Sequence, residues 1–167
     1  PLSRPHEAEA DAVNRMIYLA SAVGDAPVYI VHLSTKEGLE EICQAKKRGQ
    51  KHIGVETCPQ YLLLTDDLYD DPSEGLKAVM APPLRKSADN RALWEGLKNN
   101  EIDTVATDHC PFTFKKQKQQ GAEDFTKCPS GAPGVEERLS LLYSEGVCKG
   151  KISMEQLVKY ACTNPAK

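Results

Sequence analysis

His32 closes one apolar run, Val28-Tyr29-Ile30-Val31-His32-Leu33, and Asp108 closes another, Ile102-Asp103-Thr104-Val105-Ala106-Thr107-Asp108. An imidazole and a carboxylate at the ends of two buried strands suit a hydrolytic metal site. Both groups bind zinc, and an ionised carboxylate also accepts a proton from metal-activated water. In parallel α/β folds the reactive groups gather at the C-terminal ends of the strands, on loops held by a rigid sheet. A single strand-end histidine is more often a hydrogen-bonded structural residue than a ligand, so the pair alone leaves both readings open.

The remaining polar candidates carry less. His109 follows Asp108 directly, and on a strand it points to the other side, which reads as packing or support. His6 and His52 precede or open elements and read as exposed. Glu56, near the end of a strand, either supports the site or pairs with a helix. The run Lys115-Lys116-Gln117-Lys118 has only Phe112 and Phe114 beside it and reads as a solvated loop. Dinucleotide, Walker and nucleophile-elbow motifs are missing. Cys43, Cys58, Cys110, Cys128, Cys148 and Cys162 include no C-x-x-C pair. They read as reduced thiols rather than a disulfide framework or a structural zinc site.

Elements must position His32 and Asp108, and periodicity supplies them. Residues 7–22 place Ala10, Val13, Ile17 and Ala20 on one helical face, with acidic residues in the first turn. The strand 28–33 follows. Ser34-Thr35-Lys36-Glu37 has a capping-box pattern and opens a helix that runs to Gly49. Ile53-Gly54-Val55-Glu56-Thr57-Cys58 is a second strand, which Pro59 stops. Residues 65–76 are acidic and turn-rich, a surface excursion, and Ala78-Val79-Met80 is a brief apolar run ended by Pro82-Pro83. A helix over 88–97 precedes the third strand, 102–107. Residues 112–133 lack periodicity, and a loop of that length is usually functional or disordered. Helices over 134–146 and 153–162 complete the order. Strands alternating with helices indicate βαβ units and a parallel sheet. Three near-continuously apolar strands leave outer edges without partners, which points to part of a larger sheet or barrel.

The chain has 167 residues, the size of one ordinary domain, with 21 basic against 24 acidic residues and a formal charge of -3. That balance gives no electrostatic footprint for nucleic acid or an anionic membrane. No apolar run approaches the roughly 20 residues of a membrane span, and no signal peptide is evident. Without an initiator Met, the sequence reads as starting inside a longer protein.

Five segments occur in order: Val31-His32-Leu33-Ser34, Gly54-Val55-Glu56-Thr57-Cys58-Pro59-Gln60-Tyr61-Leu62, Pro82-Pro83-Leu84-Arg85, Ala106-Thr107-Asp108-His109-Cys110-Pro111-Phe112 and Asp124-Phe125-Thr126-Lys127. Together they resemble the dihydropyrimidinase/hydantoinase family of cyclic amidohydrolases, and the resemblance runs through to Thr163-Asn164-Pro165-Ala166-Lys167. It implies a (β/α)8 barrel of the TIM type, of which residues 1–167 form roughly the last three β/α units of the catalytic domain. The upstream barrel half and a β-sandwich would be absent. It implies two zinc ions bridged by a carboxylated lysine and a hydroxide. By motif His32 matches the sixth-strand histidine ligand and Asp108 the eighth-strand aspartate; the other ligands have no counterpart in this sequence. The implied mechanism has the hydroxide attack a ring amide carbon while Asp108 carries a proton to the leaving nitrogen. Main-chain groups at Ala81 and Ser130 would grip the imide edge of a cyclic ureide, where relatives usually have Ser and Asn. The resemblance also implies a cytoplasmic homotetramer in pyrimidine degradation. An isolated chain holding two ligands is expected to be inactive.

Two alternatives follow from the same text. Allantoinases and dihydroorotases typically read Cys-Pro-His-Tyr or Pro-His-His where this chain has Cys58-Pro59-Gln60-Tyr61, and they lack the Asp-Phe-Thr-Lys stretch. The non-enzymatic adaptor proteins of the same fold have lost the metal ligands at the positions of His32 and Asp108, so their presence here favours an enzyme.

Overall fold

The computed structural model describes residues 3–71 and 74–167. Helix α1, His6–Ala22, buries Val13, Ile17 and Ala20, the stripe expected from their spacing. Strand β1, Val28–Ile30, leads into α2, Lys36–Lys47, where Thr35 caps the helix by accepting from Gly38 N–H. Strand β2, Ile53–Thr57, follows. Pro59 does not end ordered structure: it sits at the first position of a short helix α3, Pro59–Leu63, where its missing N–H costs nothing. Helix α4, Ser87–Lys98, precedes β3, Thr104–Val105. The last two helices, α5 (Arg138–Leu141) and α6 (Met154–Val158), each continue into a π-helical stretch, Leu142–Val147 and Lys159–Thr163.

The three strands form one parallel sheet in the order β1-β2-β3, with Tyr29 level with Gly54 and Thr57 level with Val105. Sequential parallel neighbours with helices between them make this α/β sheet a partial (β/α)8 barrel. Along β2 burial alternates. Ile53, Val55 and Thr57 are buried, while Gly54 and Glu56 are half-buried on the other face. The core lies on the helix side, joining Ile17, Leu33, Ile42, Val55, Leu93, Leu97, Ile102 and Val105. On the opposite face Tyr29 lies across the sheet, its hydroxyl bonded to Glu56 Oε2 at 2.9 Å and also to Thr104 Oγ1. A Cβ at Gly54 would stand 2.6 Å from the Tyr29 ring, so only glycine admits that crossing. Glu56 therefore faces the interior of the barrel rather than pairing with a helix.

Two loop readings need correction. The acidic segment is anchored, not merely superficial: Leu68 and Tyr69 pack on the core, and the Tyr69 hydroxyl donates to Ala78 O and accepts from Leu84 N–H. Pro72 and Ser73 lie outside the described residues. Lys118 is not solvated: it is 3% exposed, stacked over Phe112, with Nζ donating to Val79 O at 2.6 Å. Two short 3₁₀ turns, Lys118–Gly121 and Phe125–Lys127, order the aperiodic region around it.

Candidate active site at the strand ends

β1 delivers His32 two residues beyond its last paired position, and β3 delivers Asp108 three beyond its own. Because the strands are parallel, both reach the same end of the sheet. Their strands, β1 and β3, flank β2, two strand spacings or about 10 Å apart. After His32 the chain turns over the end of β2. Leu33 N–H donates to Glu56 O at 2.8 Å, and Thr57 Oγ1 donates to Leu33 O at 2.8 Å. Before Asp108, Ala106 N–H donates to Thr57 O, and Gln60 Nε2 from α3 holds Thr107 O at 3.3 Å.

Among the described residues, four besides glycines have positive φ: Asp25, His32, Asn100 and Asp108. Asp25 and Asn100 follow the ends of α1 and α4, where a left-handed residue satisfies the last carbonyls. His32 (φ 40°) and Asp108 (φ 49°) terminate no helix. A left-handed conformation at a residue with a side chain stores strain and persists where surrounding contacts impose it, a pattern concentrated at functional sites. Among the described residues, neither the His32 imidazole nor the Asp108 carboxylate has a hydrogen-bond or ion-pair partner. Half-exposed His32 and exposed Asp108 thus keep free donor atoms of the types that bind zinc.

Their surroundings are shaped around that charge. Burial pushes the Cys58 thiol far above its usual range, with the Glu56 and Asp108 charges adding to the rise. The Tyr61 phenol rises likewise, chiefly by burial, and its hydroxyl donates to Pro82 O at 2.9 Å. His109, exposed, accepts at Nδ1 from Gly134 and Val135 N–H at 3.1 and 3.3 Å, which leaves its ring proton on Nε2. It thereby pins the following loop, the supporting part read for it.

Ala81 and Ser130 come from segments tied together at Val79 O, which accepts both Gly131 N–H (3.0 Å) and Lys118 Nζ. A cleft of about 640 Å³ lies beside them, lined by Tyr69, Met80, Pro83, Phe125, Cys128 and Ser130. His32 instead borders a smaller hollow of about 320 Å³ with Tyr29, Val31 and Pro82.

A possible metal site does exist elsewhere. His6, Glu37 and Asp89, from the first turns of α1, α2 and α4, bring three ligand atoms within 4.8 Å of one another. Buried Asp89 already accepts from Lys36 and Lys86 N–H and from His6 Nε2, which makes it a tie between three helix starts. Sequence reasoning missed this grouping, and also Glu9 and Arg85, because most of their partners lie 25 to 83 positions away. No helix among the described residues is long and apolar enough to cross a membrane.

No protein-family model matches the chain. It is 48% identical over 166 residues to a D-phenylhydantoinase of Escherichia coli, covering 99% of this chain and 36% of that protein. Among solved structures it is similar to a D-hydantoinase from a Bacillus sp. AR9, with a TM-score of 0.95 at 45% identity over 99% of this chain and 36% of that one. It is also similar to a dihydropyrimidinase from Brevibacillus agri NCHU1002, with a TM-score of 0.91 at 46% identity over 95% of this chain and 34% of the other. The chain thus spans about a third of the length of the relatives it matches.

Proposed function

Because this chain belongs to the dihydropyrimidinase/D-hydantoinase family, we propose that the protein carrying it opens cyclic ureides, 5,6-dihydropyrimidines or hydantoins, by hydrolysis of a ring amide. One observation carries the reading. Among the described residues, His32 and Asp108 are strained, unpartnered donors at one end of one parallel sheet. Their chemistry fits zinc, which when bound supplies a Lewis acid for the amide carbonyl and lowers the pKa of a water.

Within that site His32 offers a neutral ring nitrogen as ligand. Asp108 offers a carboxylate oxygen as ligand and, as its second task, accepts the proton of the attacking water. It then returns that proton to the ring nitrogen as the C–N bond breaks, so the products are an acid and a freed urea or amide nitrogen. Main-chain groups at Ala81 and Ser130, joined through Val79, hold the imide edge against the cleft. Residues 1–167 are proposed as the last β/α units of the barrel. The remaining ligands, including a carboxylated lysine bridging two zinc ions, would come from chain outside them. A homotetramer acting in the cytoplasm completes the proposal.

Asp108→Asn in the longer protein tests it. Asn keeps a carbonyl oxygen for the metal but accepts no proton at neutral pH. General acid–base groups contribute about 10²–10⁴-fold, so kcat should fall by that range with zinc restored to full occupancy by elemental analysis. Near-wild-type turnover of the refilled variant would leave Asp108 a ligand only.

A further inference from the structure

We infer that Glu9 and Arg85 form a buried clamp that positions His32, a role resting on the reading of His32 as a metal ligand. Glu9 lies in the first turn of α1, Arg85 just before α4, and they meet as an ion pair of 3.3 Å with side chains 13% and 4% exposed. What they grip is the chain immediately after His32. Glu9 Oε1 accepts from Ser34 N–H at 2.8 Å, Thr35 N–H at 3.0 Å and Thr35 Oγ1 at 3.0 Å, and Oε2 accepts from Ser34 Oγ. Arg85 donates Nε to Ser34 Oγ at 3.0 Å and Nη1 to Arg4 O at 2.6 Å. Ser34 and Thr35 are fully buried, so these groups have no solvent to fall back on.

Stability alone is a poor reason for such a pair. Taking two charges out of water costs several kcal/mol, and well-packed apolar residues often serve as well. What charged groups supply instead is direction, since five donors converge on one carboxylate in a fixed arrangement. After His32, Leu33 is bonded to β2 through Glu56 O and Thr57 Oγ1, and Ser34 and Thr35 are bonded to Glu9. His32 thus lies between β1, paired with β2 as far as Ile30, and this doubly held segment after it, which imposes its positive φ and aims its ring. Groups that orient a metal's ligands change metal affinity typically 10–100-fold when removed.

The test uses the longer protein. Glu9→Gln replaces one acceptor oxygen by a donor facing donors, and Ser34→Ala is the milder change should that variant not fold. Gln156→Ala, which removes bonds to Leu97 O and Lys98 O far from His32, serves as a variant destabilised without touching the clamp. Zinc affinity is read by chelator competition, melting temperature by calorimetry, and the His32 position by crystal structures of the metal-free proteins. The expected result is a 10–100-fold weaker zinc affinity for Glu9→Gln, a smaller loss for Ser34→Ala, none for Gln156→Ala, and a displaced His32 ring in the metal-free clamp variants. Undiminished zinc affinity with only a lowered melting temperature would overturn the positioning role and leave the functional reading standing. A wild-type protein that binds no zinc would overturn both.

Discussion

Cys58 and Cys110 show how differently one residue type behaves on the two sides of this site. Cys58 is buried after β2, and its thiol is pushed up by burial and then by the charges of Glu56 and Asp108. Cys110 is exposed, two positions after Asp108. The thiolate is the reactive form, and a raised pKa leaves less of it at any given pH. Iodoacetamide at pH 8 should therefore label Cys110 and spare Cys58 in the folded protein, as read by peptide mass spectrometry. Labelling of Cys58 at a comparable rate would contradict its burial. On the proposed roles, His32→Ala, unlike Asp108→Asn, removes a ligand and no base, so added zinc should restore part of the longer protein's activity, measured as turnover against metal occupancy. The positions of His32 and Asp108 at one end of the sheet were legible in the sequence because each ends an apolar run. Glu9 and Arg85 were not, because nothing local marks a contact spanning 76 positions.

At the scale of elements, the helices 7–22, 88–97 and the capped one after Thr35 follow from their apolar spacing, and the structure matches them within a few residues. Periodicity fails where anchoring is long-range. Pro59 reads as a stop but opens α3, which α4 fixes through Asn90 Nδ2 to Tyr61 O and Trp94 Nε1 to Leu62 O. Residues 112–133 have no period, yet Lys118 and Gly131 tie them to Val79. On the proposed grip of Ala81 and Ser130, breaking those ties should loosen the hold on substrate more than the chemistry. A hydrogen bond to a charged group contributes about 1.5–3 kcal/mol, so Lys118→Met should raise KM roughly tenfold or more while kcat changes less. An unchanged KM would separate this loop from substrate binding. Gly131→Ala should destabilise more sharply, since its Cβ would stand 2.6 Å from Cys110 O at a φ of 155°. A melting temperature within a degree of wild type would contradict that packing.

The whole molecule presents a sheet whose outer strands, β1 and β3, each pair on one side only among the described residues, with Tyr29 half-exposed on its inner face. Three apolar strands in sequence already indicated an incomplete sheet, and matches covering 34–36% of their relatives agree with that reading. Sequence pattern alone did not distinguish a barrel from an open sheet, because closure depends on strands that pair beyond β1 and β3. The proposed site needs at least three protein ligands for a catalytic zinc, and His32 and Asp108 supply two. The decisive measurement is ring opening of hydantoin and dihydrouracil, with zinc supplied, by residues 1–167 alone and by the longer protein in parallel. Turnover by the longer protein and none by residues 1–167 is the expected result. Turnover by residues 1–167 alone, or none by the zinc-loaded longer protein, would contradict a site shared between this chain and the rest of its barrel.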